Sequence, residues 1–149
     1  MRRSPMVVVP FKSVGNLSFD DSRQEIRRKL KEDFVAGAHE FGGIKELYDY
    51  FEKYDLKVIY DEHSNIAAFE FYKYAIGPIF NGVNLLTEPF VKLVNMFSEL
   101  DPELENEFGE FTSNKYGIGA QIDYSKEPEI ACADSVIIFR KGYYDKLEK

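Results

Sequence analysis

Phe111–Asp145, FTSNKYGIGAQIDYSKEPEIACADSVIIFRKGYYD, decides the fold. Tyr116–Tyr124 alternates in side-chain character, Val136–Phe139 is a β-branched and aromatic run, and Ser125–Glu129 carries turn residues between them. The stretch therefore predicts a hairpin. Leu56–Phe71, LKVIYDEHSNIAAFEF, repeats the plan with Asp61–Asn65 as its turn. Leu56, Val58 and Tyr60 share one face, and on the return strand Ile66, Ala68 and Glu70 face opposite to Ala67, Phe69 and Phe71. So continuous an apolar run predicts burial on both faces.

Working outward, each hairpin follows a segment with helical character. Ser22 and Glu25 are spaced as a capping box, and Ile26, Leu30 and Phe34 recur on one helical face. Arg23, Arg27, Arg28, Lys29 and Lys31 cover the rest, most simply as the wet face of an amphipathic helix, with a phosphate site as the alternative. Gly37 and Gly42-Gly43 interrupt the pattern, and Ile44, Leu47, Tyr48 and Phe51 resume helical spacing over Ile44–Lys53. Downstream, Thr87-Glu88-Pro89 offers a cap hydroxyl, an acid and a proline to a helix with Phe90, Leu93, Val94 and Phe97 as its apolar stripe. It stops near Asp101-Pro102, because proline disfavours helical geometry in the residue before it. Ahead of all this, Met6–Lys12 reads as a strand that Pro10 sends to a sheet edge or ends, and Val14-Gly15-Asn16 as a turn. The order strand, cap, helix, hairpin thus occurs twice, predicting pseudo-repeats at about 14–74 and 79–145 within one domain over 1–149. The expected fold class is α+β, an antiparallel sheet with the helices of two helix-plus-hairpin repeats on one face.

Composition narrows the function. With 44% hydrophobic residues in 149, the chain has material for a core burying roughly two-thirds of its unfolded surface, which excludes disorder. A net charge of -7 argues against direct nucleic-acid binding and for a basic partner. The single cysteine, Cys132, has no internal disulfide partner. Val7–Val9 is too short for a signal sequence, and no apolar run approaches the ~20 residues that span a bilayer, so a soluble cytoplasmic protein is expected.

Catalytic chemistry finds little support. His39, His63 and Cys132 are too few for a structural zinc site, and a Cys or Ser nucleophile would depend on one of those two histidines. Gly117-Ile118-Gly119 lacks the lysine or glycine tail of a phosphate loop and reads instead as a bulge or close backbone approach. No cofactor and no metal is expected. Two features point to a partner. Glu99, Asp101, Glu103, Glu105, Glu107 and Glu110 crowd one segment, which is a solvated loop or a surface that steers a basic protein and mimics phosphate in a nuclease pocket. Of the ten tyrosines, Tyr72 and Tyr74 leave the first hairpin, where an amphipathic ring suits an interface.

Phe19-Asp20-Asp21-Ser22-Arg23-Gln24-Glu25-Ile26-Arg27, Val58-Ile59-Tyr60-Asp61, Ser113-Asn114-Lys115-Tyr116-Gly117-Ile118-Gly119 and Lys141-Gly142-Tyr143-Tyr144-Asp145 together resemble a group of small bacterial proteins. Some of that group act as immunity proteins beside secreted, contact-dependent toxins. The chain departs from the pattern at Asp20, where the resemblance leads one to expect glycine. In layout the helix-then-hairpin plan is similar to tandem-repeat β-lactamase inhibitor proteins and BamE-type modules, which bind proteins. The resemblance and the acidity together imply a non-catalytic immunity protein that covers the active site of a cognate basic toxin, a nuclease for preference. The alternatives are a small-ligand or enzymatic domain with a pocket between sheet and helices, and a homodimer formed through a sheet edge.

Overall fold

A computed structural model of the chain describes residues 6–123 and 125–147. β structure dominates it. Met6–Val9 (β1), Ser13–Val14 (β2), Leu17–Ser18 (β3), Pro78–Phe80 (β8) and Val83–Asn84 (β9) form a small sheet in the order β3-β2-β1-β8-β9. Val35–Phe41 (β4), Ile44–Phe51 (β5), Leu56–Tyr60 (β6), Ile66–Tyr72 (β7), Glu105–Glu107 (β10), Glu110–Ser113 (β11), Ile118–Gln121 (β12) and Ser135–Phe139 (β13) form a large one, β10-β11-β12-β13-β7-β6-β5-β4. Every pair in the large sheet is antiparallel, whereas β1 and β8 pair in parallel. Arg23–Leu30 (α1), Phe90–Leu100 (α2) and the short Tyr143–Leu147 (α3) complete the described residues.

The α+β expectation is thereby corrected. Each of α1 and α2 is followed by a four-stranded meander, and a second sheet with a parallel pair stands where one antiparallel sheet was expected. The expected helix over Ile44–Lys53 is strand β5, followed by one 3-10 turn at Glu52–Tyr54. Gly42 and Gly43, at φ +59° and +80°, supply the left-handed pair of a two-residue hairpin turn, so the chain reverses and β5 pairs with β4 along its length. Positions 44, 47, 48 and 51 fit a helix stripe, but in the strand Leu47, Asp49 and Phe51 point inward and Tyr48 outward.

Both hairpins that organised the sequence reading form as pairs, β6 with β7 and β12 with β13; Tyr124, in the predicted strand Tyr116–Tyr124, lies outside the described residues. A bulge at Ala67 alters one parity. Ile59 pairs with Ala68 and Tyr60 with Ile66, so Ile66 joins Phe69 and Phe71 in the main core while Ala68 packs on the opposite face. Pro10 ends β1, which lies inside the small sheet between β2 and β8.

The main core lies between the inner face of the large sheet and a layer made of α1, α2 and the small sheet. The capping box of Ser22 and Glu25 starts α1. The start of α2 differs from expectation. Thr87 does not cap it; Pro89 is the cap residue, and the amides of Phe90 and Val91 donate to the carbonyls of Ala131 and Pro128, 2.8 and 2.9 Å away. α1 is also tied down by charge. Asp49 on β5, with no exposed surface, accepts from Arg23 Nη2 at 2.8 Å, from Arg27 Nε and Nη2 at 2.8 Å each, and from the Tyr60 hydroxyl at 3.2 Å. Burial pushes the Asp49 pKa up, but the hydrogen bonds of Arg27 and Arg23, then their charges, outweigh it and hold the carboxyl below the ordinary carboxylate range. Arg23 and Arg27 therefore leave the expected wet face of the helix.

This clamp predicts an asymmetry. Asp49→Asn frees two partly exposed guanidinium groups that can turn to water, whereas Arg23→Met with Arg27→Met strands a buried carboxylate and should cost roughly 3–5 kcal/mol at neutral pH. The depressed Asp49 pKa gives the wild type a contribution that is complete above about pH 4 and lost as the pH falls through the folded value. In the double variant only the Tyr60 hydrogen bond opposes burial, so its deficit should shrink on acidification from neutral. Urea denaturation across pH measures both signs.

Candidate functional site

The outer face of the large sheet can be read row by row from the strand register. One row crosses all eight strands: Glu105, Thr112, Gly119, Ile137, Glu70, Lys57, Tyr50 and Val35. The next runs Glu107, Glu110, Gln121, Ser135 and Tyr72. A third holds Phe139, Ala68, Ile59, Tyr48 and Gly37, with the Tyr48 ring packed over the α-carbon of Gly37. Their neighbours along each strand, such as Phe111, Ile118, Val136, Phe69 and Val58, fill the core, so these residues face away from it.

Across the middle of that face lies α3. Ile59, Ala67, Ala68 and Phe139 form a second apolar cluster beneath Tyr143 and Tyr144, whose rings pack 5.0 Å apart. Beside Tyr144 is a groove of about 160 Å³ lined by Glu70, Glu110, Thr112, Gly119, Gln121 and Ser135 among others. Gly119 keeps its floor low, because a Cβ there would stand 3.1 Å from Ile137 Cγ2 and 3.2 Å from the Phe111 carbonyl oxygen. On the other side of α3, a cleft of about 370 Å³ is lined by Lys45, Glu46, His63, Arg140, Lys141 and Tyr143 among others.

The electrostatics of the face are acidic. Tyr144 is pushed up to about 12 by burial first, then by the charges of Glu70, Glu110, Glu46 and Glu105. Tyr143 rises above the ordinary phenol range through burial and then Glu46. Glu46, only 3% exposed, stands 3.0 Å from His39 Nε2. Tyr72 donates to Glu70 Oε1 at 2.5 Å, and burial followed by that bond raises it strongly. Among the described residues of the first two rows Lys57 is the only cation, 3.6 Å from Glu70.

The sequence-predicted partner residues are divided. Glu105, Glu107, Glu110 and Tyr72 lie on this face. Asp101 does not: 3% exposed, it accepts from Ser113 Oγ at 2.7 Å and from the amide of Glu103 at 3.0 Å, tying the end of α2 to β11. Glu99 is exposed on α2 and Glu103 in the connection after it. Tyr74, 79% exposed, sits in the turn beyond β7, where its amide donates to Asp55 at 2.9 Å. Glu46, Glu70, Tyr143 and Tyr144 join the face without having been chosen from the sequence. Of these, Glu70 carried a signal, an acid within the otherwise apolar strand run IAAFEFY. Gly117, at φ +68°, and Gly119 are close-approach positions: a Cβ on Gly117 would meet the Phe139 carbonyl at 2.7 Å.

Among the described residues no group of three His, Cys, Asp or Glu side chains could hold a metal ion, and no helix is long and apolar enough to cross a membrane. Compared with protein-family models, with curated proteins and with solved structures, the chain matches none.

Folded-state phenol titration tests this environment. Tyr50, Tyr60, Tyr72, Tyr143 and Tyr144 all have raised pKa values, so they should stay protonated beyond the ordinary phenol value of about 10 while the chain is folded. A raised phenol pKa contributes stability that is present below the unfolded value and lost as the pH climbs through the folded one. The phenolate absorbance of these five is expected to appear in a cooperative phase coincident with unfolding, and Tyr144→Phe should remove amplitude from that phase.

Proposed function

We propose that this chain is a non-catalytic binding module whose outer sheet face docks a basic protein. The fuller reading is an immunity protein acting in the bacterial cytoplasm that covers the active site of a cognate toxin, a nuclease for preference. The observation that carries it is the gathering of Glu70, Glu105, Glu107, Glu110 and Tyr72 on two adjacent rows of one sheet face, with Tyr144 of α3 beside Glu70 and Glu110. Carboxylates set in a fixed lattice steer a cationic surface and raise its association rate, while buried-edge phenols give contact area at little loss of rotamer freedom.

A second reading, a small polar ligand, is favoured by the cleft beside α3, where Lys45, Arg140 and Lys141 stand with Glu46 and His63. It differs from the expected pocket between sheet and helices by lying on the outer face.

Co-expression with the product of the neighbouring gene separates the two. A stable complex and rescue from growth arrest are expected under the first reading, and their absence would remove it. Glu105→Lys, Glu107→Lys and Glu110→Lys together should slow association by about tenfold or more and weaken its dependence on salt, with little change in fold because all three side chains are exposed.

A further inference from the structure

The two ends of the large sheet are finished differently. β10 closes one end with three exposed residues, Glu105-Asn106-Glu107, a short charged edge that discourages another strand. At the other end, β4 runs for seven residues, VAGAHEF, with one carboxylate at Glu40. Among the described residues no strand pairs with its outer side, Ala36 and Ala38 are exposed, and Val35 is 62% exposed at its start.

The Gly42-Gly43 turn determines which backbone groups point outward. In a two-residue turn of this hand the closing pair, Phe41 and Ile44, exchanges both hydrogen bonds, and pairs then alternate along the ladder. The N–H and C=O groups of Ala36, Ala38 and Glu40 are consequently the ones directed away from β5.

We propose that this edge pairs with the same edge of a second copy of the chain, antiparallel, about a two-fold axis through Ala38. In that register Ala38 meets its own counterpart and Ala36 lies opposite Glu40 of the second copy. The three outward amides and three outward carbonyls of each strand are then all matched, and no carboxylate faces another. Centring the axis on Glu40 would oppose two carboxylates, and centring it on Ala36 would set Glu40 against Glu32. The short side chains of Ala36 and Ala38 leave the approach open. With an interface far smaller than the standard ~1,600 Å² and a charge of -7 on each copy, the dimer is weak, forms with rising concentration and is strengthened by salt.

The test uses the full chain in sedimentation equilibrium over a concentration series, with Ala38→Glu and Ala38→Lys as exposed-site variants. The wild type should pass from 17.3 kDa towards twice that mass. Each variant alone places like charges across the axis and should stay monomeric, and an equimolar mixture of the two should dimerise. Only a register in which position 38 faces itself gives that rescue. A wild type that stays monomeric at the highest concentration, a dimer untouched by either variant, or a mixture that stays monomeric would each overturn the proposal. The first of these combined with capture of an extended peptide by β4 would assign the edge to a foreign strand instead.

Discussion

A buried carboxylate with two guanidinium partners is the constraint on which the arrangement depends. Asp49 sits on an inner-face position of β5, in a row with Val58, Phe69 and Ile138, and α1 lies over that position with Arg23 and Arg27 reaching down to it. Remove the partners and the desolvated charge expels the helix; remove the charge and two cations lose their reason to fold inward. The clamp also orders Tyr60, whose hydroxyl shares the same oxygen at 3.2 Å. Charge thus fixes the position of α1 above the sheet, while Ile26 and Leu30 supply the burial.

That constraint explains what the sequence concealed. A basic helix face reads as solvated because cations seldom enter a core, and an aspartate in a strand reads as evidence against a strand. RQEIRRKL carried the first disguise and IKELYDYF the second: its inward Asp49 broke the alternation, and Ile44, Leu47, Tyr48 and Phe51 happened to fit helical spacing. Gly42-Gly43 was legible as a break but not as a hairpin turn, since the strand before it, VAGAHEF, is built of weak formers. The two long hairpins were legible because their inward and outward positions differ plainly and their turns are rich in Asp, Asn, Ser and Pro. The helix after Pro89 was legible by its stripe, yet its true caps, the Ala131 and Pro128 carbonyls, lie some forty residues away and leave no local mark.

The candidate face was legible in composition and hidden in assembly. Acids crowding Glu99–Glu110 were evident, but the segment contains the end of a helix, a turn and two strand starts, so it faces several directions. Asp101 looks like its neighbours and turns inward to hold Ser113. Glu70 and Tyr144 reach the same surface from distant parts of the chain, Glu70 through strand register, which is a property of the whole sheet, and Tyr144 through the packing of α3 on Phe139.

Small-sheet strands, a helix and a four-stranded meander follow one another twice along the chain, and the two series meet at β1 with β8 and at β7 with β13. Met6 pairs with Pro78 and Ala68 with Phe139, each pair about seventy residues apart in sequence, so both seams close long loops. Such non-local closure slows the search for the native topology. During synthesis the first series emerges complete, with the apolar flanks of β1 and β7 still lacking their neighbours. It must wait for the second, and that interval is when the molecule is most exposed to wrong pairings.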